Sequence, residues 1–142
     1  MLFRSLLASR HDRNIAWFEN TDGKGVFGAQ QTIATDVEHP GLVIAGAVDG
    51  DGDLDVLSND GSKILWYENK DGARSFAPPQ GIASELQTIE SLAIADLDSD
   101  GDLDVLSASG DKVAWYENRL AGDADDNGKV EFADFQIGRA HV

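Results

Sequence analysis

The sequence predicts an all-β protein built from repeated four-stranded units, and three observations predict it. The words IAWFEN, ILWYEN and VAWYEN begin 49 residues apart, so that tryptophan recurs at positions 17, 66 and 115. The word LDVLS occurs at 54–58 and again at 103–107, with the same spacing. Between these words, β-branched and aromatic residues alternate with Asp-Gly turns, and no sustained helical period precedes residue 130.

The alternation predicts nine short strands, taken here in chain order. They are expected near 14–19, 27–35, 42–47, 54–59, 63–68, 76–84, 90–95, 103–109 and 112–117. Four short strands in about 50 residues is the size of one β-propeller blade. Blades are antiparallel sheets that share a core with their neighbours. We therefore predict an incomplete β-propeller, with two full four-stranded blades of 49 residues plus a fragment.

The N-terminal segment is predicted to belong to the same architecture. LLASRHDRNIAWFEN at 6–20 aligns with VLSASGDKVAWYEN at 105–118 if the turn differs by one residue. Residues 1–20 are therefore expected to end an earlier blade rather than to form a targeting signal. Because a closed propeller needs about four blades or more, the chain is expected to be the C-terminal part of a longer protein, with its upstream blades missing.

Composition and charge exclude several classes of partner. With 26 acidic residues against 11 basic ones, the net charge is −15, which argues against binding to nucleic acid or to an anionic membrane. No apolar run reaches the ~18 residues that a transmembrane helix needs. The chain has no cysteine, so neither a disulfide nor a thiolate is available. A small secreted fold without disulfides needs another source of stability, and a bound metal is one candidate.

Alternating aspartates mark the candidate metal sites. In ADLDSDGDLDVL, at 95–106, an aspartate stands at every second position from 96 to 104. Ca²⁺ takes about 6–8 oxygen ligands at about 2.3–2.6 Å, and a loop can turn alternate residues towards one point. The predicted side-chain ligands are Asp96, Asp98, Asp100 and Asp104. Asp102 is expected to offer its backbone carbonyl with its side chain pointing outwards, and Gly101 to permit a sharp turn.

The earlier copy of this loop is AVDGDGDLD, at 47–55. It keeps Asp49, Asp51 and Asp55 as side-chain ligands and the carbonyl of Asp53, but Ala47 stands where the second copy has Asp96. We therefore expect the first loop to bind Ca²⁺ more weakly than the second. The alternative is that Asp-Gly only makes hairpin turns. That explains a single Asp-Gly, but not alternating acids repeated 49 residues apart.

The pattern D-x-D-x-D-G-x-x-D followed by an apolar strand resembles the FG-GAP/VCBS-type repeat. Such repeats are found in the integrin alpha-subunit propeller and in many secreted bacterial proteins. We assign residues 1–119 to this domain. The resemblance implies an extracellular or cell-surface propeller, stabilised by calcium, that serves adhesion or the binding of an unidentified extracellular protein or polysaccharide.

A second kind of acidic loop follows the repeats, in AGDADDNGKVEFADF at 121–135. Its residues fall in the order of an EF-hand, with oxygen ligands at positions 1, 3, 5, 7, 9 and 12 and glycine at position 6. The predicted ligands are Asp123, Asp125, Asn127, Lys129 through its carbonyl, Glu131 and Asp134. The loop resembles that of dockerin modules, which implies a short helix after it within a segment 120–136. The alternative is a polar linker that contains Asn-Gly. Because dockerins normally carry two such loops, binding to a cohesin is not predicted.

The remaining residues predict no catalytic site. The repeated tryptophans are expected to pack between sheets, and neither His11 nor His39 has a metal-ligand spacing. The tail IGRAHV, at 137–142, matches one reading frame of a common sequencing adapter and is interpreted as an artefact. The sequence therefore predicts a non-enzymatic module that binds structural calcium. The alternative is a non-catalytic C-terminal appendage of a secreted polysaccharide-degrading enzyme.

Overall fold

The chain forms short antiparallel strands, as its two-residue alternation of apolar and polar side chains predicts. The structure, a computed structural model, describes residues 4–72, 75–118 and 136–137. Its strands are β1 (Arg4–Ser9), β2 (Asn14–Glu19), β3 (Gln31–Ala34), β4 (Pro40–Gly46), β5 (Asp55–Asp60), β6 (Lys63–Tyr67), β7 (Gln80–Ala83), β8 (Ile89–Ala95), β9 (Asp104–Ser109), β10 (Lys112–Glu117) and β11 (Gln136–Ile137). No helix occurs within these described ranges, and so none there is long and apolar enough to cross a membrane.

The strands build three sheets that follow one another along the chain. The first sheet has the order β1-β2-β3, the second β4-β5-β6-β7 and the third β11-β10-β9-β8. All pairings between adjacent strands are antiparallel. The all-β prediction is confirmed, and three separate sheets that do not close on one another are consistent with an incomplete propeller.

The pairing of β1 with β2 places the N-terminal segment in the repeat as expected, but it shifts the predicted alignment of β1 by one residue. Trp17 pairs with Leu6, as Trp66 pairs with Leu57 and Trp115 with Leu106. The connecting turns differ by two residues instead of the expected one, with four residues between β1 and β2 and two between β9 and β10, so Leu6 corresponds to Leu106 and not to Val105. β5 and β6 are joined by a two-residue turn beginning at Gly61, which has a φ of 60°. Such left-handed backbone at a hairpin turn favours glycine.

Two predicted strands are shorter than expected. Only Gln31–Ala34 and Gln80–Ala83 form strands within the predicted ranges 27–35 and 76–84. Phe27 and Phe76 each make a single bridge, to Asn20 and Asn69 respectively. In the second range, the gap between the bridge and the strand contains Pro78 and Pro79, which have no N–H to donate to a ladder.

The predicted C-terminal helix is not seen in the part that can be compared. Gln136 was expected at the end of that helix, but it pairs with Glu117 in the ladder between β10 and β11. β11 lies beside β10 at the edge of the third sheet. The backbone of residues 136–137 therefore forms hydrogen bonds with β10, which the backbone of a helix would not do. The rest of the predicted helix falls outside the described residues.

The apolar side chains form two cores, one on each face of the second sheet. The core between the first and second sheets contains Ile15, Val37, Val56 and Tyr67. The core between the second and third sheets contains Val48, Leu57, Ile64, Trp66, Ile82, Ile89, Leu92, Val105 and Tyr116. Trp66 lies in the second of these cores, which confirms that it packs between sheets. Trp17 is also buried, whereas Trp115 is half-buried.

Tyrosine side chains lie on the opposite strand face from the tryptophans. Tyr67 faces the first sheet, while Trp66, the residue before it, faces the third. Burial raises the pKa of Tyr67 to about 12, and the charge of Asp60 adds to the rise. The phenol therefore stays neutral at physiological pH.

Candidate metal-binding loops

Two acidic loops occupy equivalent positions in neighbouring sheets. Residues 47–54 join β4 to β5, and residues 96–103 join β8 to β9. Each loop has two residues with left-handed backbone, Gly50 and Gly52 in the first, and Ser99 and Gly101 in the second. The φ of 100° at Gly101 confirms the predicted sharp turn, because this conformation is costly for a residue with a Cβ.

The last aspartate of each loop anchors it to the sheet. Asp104 is fully buried, and its two carboxylate oxygens accept the N–H groups of Leu97, at 2.9 Å, and Asn118, at 2.8 Å. Asp55 is buried in the same way and accepts the N–H groups of Val48, at 3.1 Å, and Asn69, at 2.8 Å. These bonds satisfy carboxylates that burial would otherwise penalise.

The second loop brings three predicted ligands together. Asp96, Asp98 and Asp104 each offer a carboxylate oxygen, and these three oxygens all lie within 4.8 Å of one another. Two oxygens that each lie about 2.4 Å from one Ca²⁺ can be at most about 4.8 Å apart. The three oxygens therefore lie within the largest separation that ligands of one calcium ion can have.

Hydrogen bonds within the second loop also agree with the alternative, in which the aspartates only stabilise a turn and bind no metal. The two carboxylate oxygens of Asp96 accept the N–H groups of Ser99, at 2.7 Å, and Gly101, at 3.2 Å. Asp98 accepts the N–H of Asp100 at 3.2 Å. A carboxylate has about four lone-pair positions, so these bonds leave room for a cation on the same oxygens.

Two predicted residues of the second loop stand apart from this group. Asp100 is exposed, and its carboxylate accepts the N–H of Asp102 at 2.9 Å instead of converging with the other three. Asp102 is half-buried, and its Oδ2 is buried without a hydrogen-bond partner among the described residues. The expectation that its side chain points into solvent is therefore wrong. In the first loop the equivalent Asp53 lies against Gly72, so this position faces the adjoining connection between strands.

The first loop holds fewer carboxylates near one point. Asp49 accepts the N–H of Asp51 at 3.1 Å, and Asp51 accepts that of Asp53 at 2.7 Å. Each hydrogen bond therefore forms a local turn between an aspartate side chain and the backbone two residues later. Among the residues that the structure describes, the first loop contains no group of three converging acidic oxygens. Ala47 supplies no carboxylate where the second loop has Asp96, which accounts for the difference.

Burial and mutual repulsion disfavour the charged forms of several loop aspartates. Burial raises the pKa of Asp49 to about 6, the charge of Asp55 adds to the rise, and the hydrogen bond from the Asp51 N–H opposes it. Burial also raises the pKa of Asp55. Desolvation raises the pKa of Asp98, and the charges of Asp100 and Asp104 contribute further. A cation would offset this repulsion.

The structure shows a role for a repeated asparagine that the sequence analysis did not assign. Asn118 is buried, and its Nδ2 donates to the carbonyls of Val48, at 2.6 Å, and Leu103, at 3.0 Å. It therefore ties the second acidic loop to the first. Asn69 donates in the same way to the carbonyl of Leu54 at 3.1 Å. The recurrence of asparagine 49 residues apart, at the end of each Trp-containing word, was the available signal.

The predicted EF-hand-like ligands lie outside the described residues. This applies to Asp123, Asp125, Asn127, Lys129, Glu131 and Asp134. Of the tail at 137–142, only Ile137 is described, as the second residue of β11.

Comparison with known proteins supports the repeat family for the middle of the chain. Residues 48–107 match the model of the FG-GAP-like repeat. This range runs from the first acidic loop into β9 and contains both loops almost entirely, so the prediction of FG-GAP-type repeats is confirmed there. No match was found among the curated proteins or among the solved structures. The dockerin-like segment at 120–136 is outside the matched range and stays a prediction.

Proposed function

We propose that this chain is a calcium-binding β-propeller module of an extracellular or cell-surface protein, and that its calcium is structural. The convergence of the Asp96, Asp98 and Asp104 oxygens within 4.8 Å carries the proposal. The module would serve adhesion, or the binding of an extracellular protein or polysaccharide.

Electrostatics explains why an ion at the second loop would stabilise the fold. Two like charges about 4 Å apart repel by about 1 kcal/mol in water and more where they are partly buried. A divalent cation replaces this repulsion by attraction and fixes the loop between β8 and β9. An ion present at a hundred times its dissociation constant adds about 2.7 kcal/mol to the free energy of unfolding.

The other acidic loops are proposed as calcium sites on fewer ligands or on the sequence alone. The first loop, with Asp49, Asp51, the Asp53 carbonyl and Asp55, has one carboxylate fewer and is proposed as a weaker site. Asp100 and the carbonyl of Asp102 would complete the second site after a local rotation of the loop. The EF-hand-like segment is proposed as a further calcium loop on its sequence alone.

Thermal unfolding tests the proposal. We expect calcium to raise the unfolding midpoint of the chain relative to the same protein in chelator. Asp98→Asn should remove most of this rise, because it deletes one charge from the converging group while keeping the size of the side chain. Asp111→Asn is the matched control, since it deletes the same charge from an exposed turn outside both loops and should leave the rise unchanged.

The contrary results are equally clear. A midpoint that chelator leaves unchanged would mean that the acidic loops act only as turns. A calcium effect that is the same in wild type and in Asp98→Asn would place the stabilising ion elsewhere.

A further inference from the structure

A cavity of about 390 Å³ lies between the first and second sheets. The β3–β4 and β6–β7 connections form two of its sides, and sites for small ligands commonly have about 300–1,000 Å³. Asp60, in its wall, ends β5, whereas the first acidic loop ends where that strand begins, at Asp55. A strand of this length spans about 17 Å, so the cavity is separate from the proposed calcium sites.

A buried hydroxyl at this cavity lacks a partner. Tyr67 lines the cavity and is 1% exposed, and its Oη has no hydrogen-bond partner among the residues that the structure describes. The equivalent Tyr116 in the third sheet has one, because the Ser107 hydroxyl donates to its Oη at 3.4 Å. In the second sheet the corresponding Ser58 donates to the Asn59 carbonyl at 3.2 Å instead. A polar ligand in the cavity would satisfy the Tyr67 hydroxyl.

Two carboxylates give the same cavity a negative charge. Asp36 lines it from the β3–β4 connection, and Asp60 lines it from the second sheet. Within the described parts of the chain, neither carboxylate forms an ion pair. Oδ1 of Asp60 accepts the N–H of His39 at 2.9 Å, which leaves Oδ2 for another donor. The charge of Asp60 also contributes to the raised pKa of Tyr67, so this carboxylate lies near the phenol.

The remaining walls of the cavity are mostly apolar, and they include Ile33, Val37, Leu65, Phe76, Pro78 and Pro79. A hydrated metal ion gains little from such walls, whereas an organic cation buries its carbon atoms against them. Aromatic rings also attract cations through their faces, and Tyr67 and Phe76 are both aromatic. The combination of carboxylates, a hydroxyl and apolar walls therefore favours a cation that carries a hydrocarbon chain.

We propose that this cavity binds an alkylammonium group, carried either by a free amine or by a lysine side chain of a partner protein. An ammonium group has three N–H donors, which match the Tyr67 hydroxyl and the carboxylates of Asp36 and Asp60. Its hydrocarbon chain lies against the apolar walls. The net charge of −15 raises the local concentration of cations around the protein. Binding at this cavity needs no calcium.

An NMR titration of the ¹⁵N-labelled chain with n-butylammonium tests the proposal. Calcium is kept in constant excess, so that any ion sites in the acidic loops stay saturated during the titration. We expect saturable shifts of the amide signals of residues 35–37, 60 and 76–77, which surround the cavity. n-Butanol, which has the same hydrocarbon chain without the charge, should cause no saturable shift.

Substitutions that keep the side-chain shape test each polar group. Tyr67→Phe should weaken n-butylammonium binding by about fivefold, and Asp36→Asn and Asp60→Asn by about tenfold each. Tyr67→Phe should not lower the thermal midpoint, because it removes a buried hydroxyl that lacks a partner. Asparagine tolerates the left-handed backbone of Asp36, whose φ is 60°. At position 60 it keeps an acceptor for the His39 N–H.

Two further variants are matched controls. Tyr116→Phe removes the same hydroxyl one repeat later, and Asp111→Asn removes one charge from an exposed turn outside the cavity. Both should bind n-butylammonium with an affinity within about twofold of wild type. Circular dichroism checks that every variant keeps the wild-type fold.

A second titration, with the N-acetyl methylamide of lysine, distinguishes the two sources of the ammonium group. Tighter binding of this compound than of n-butylammonium supports a lysine side chain, and weaker binding supports a free amine. Three results would overturn the proposal: no saturable shift around the cavity with either compound, equal shifts with n-butanol, or wild-type affinity in Tyr67→Phe, Asp36→Asn and Asp60→Asn alike.

Discussion

Replacing Trp66 with alanine is expected to lower the free energy of unfolding by about 3–5 kcal/mol, the usual cost of emptying a large buried aromatic site. Trp66 is 1% exposed and lies in the core between the second and third sheets. The cavity would open in the core between the second and third sheets, where apolar side chains of both these sheets lie around Trp66. Urea unfolding with linear extrapolation measures the loss.

Trp115→Ala is the matched control for this experiment. Trp115 holds the same place one repeat later, pairs with Leu106 as Trp66 pairs with Leu57, and is only half-buried. Its replacement should cost clearly less, because less apolar surface leaves a packed environment. Equal losses at the two positions would contradict the assignment of Trp66 to a core between sheets.

Asn118→Ala is the second change with a large expected effect. It removes the donor of one buried and one partly buried hydrogen bond, so the carbonyls of Val48 and Leu103 lose this partner. Each buried group left unsatisfied costs about 1–3 kcal/mol, so for two carbonyls we expect a total loss of about 2–6 kcal/mol. Because one of the two bonds crosses between sheets, the loss should appear as earlier separation of the second and third sheets. Hydrogen exchange at β4 and β8 detects that separation.

Asn69→Ala provides the comparison, again at the same place in the repeat. The Asn69 side chain donates to the Leu54 carbonyl within its own sheet. Its removal should therefore cost less than that of Asn118, and the difference reports the bond between sheets. If Asn69→Ala costs as much as Asn118→Ala, the contact between Asn118 and Val48 contributes nothing measurable.

The recurrence of Trp, Tyr and Val at fixed spacing predicted nine of the strands, two of which form only in part, but not β1 or β11. It also predicted the burial of Trp66, whereas Trp115 is only half-buried. Side-chain alternation in a strand has a period of two, so the opposite orientations of Trp66 and Tyr67 follow directly from their adjacency. The bonds of Asn118 could not be predicted in this way. Recurrence shows that an asparagine is needed, but its partner at Val48 lies 70 residues away in another sheet.

The acidic loops show a similar limit. The alternation of aspartates predicted that oxygens converge, and those of Asp96, Asp98 and Asp104 do. Asp100 does not, because the left-handed residues Ser99 and Gly101 on either side of it redirect the chain locally. A regular spacing fixes side-chain direction in a strand, but not in a loop whose backbone angles change at every residue.

Titration calorimetry with calcium, on the chain freed of metal by chelator, measures whether the acidic loops bind the ion. We expect heat of binding at the second acidic loop. We also expect Asp98→Asn to bind one calcium ion fewer than wild type, and Asp111→Asn to bind the same number. No heat of calcium binding to the wild-type chain, or an unchanged number of sites in Asp98→Asn, would contradict this expectation.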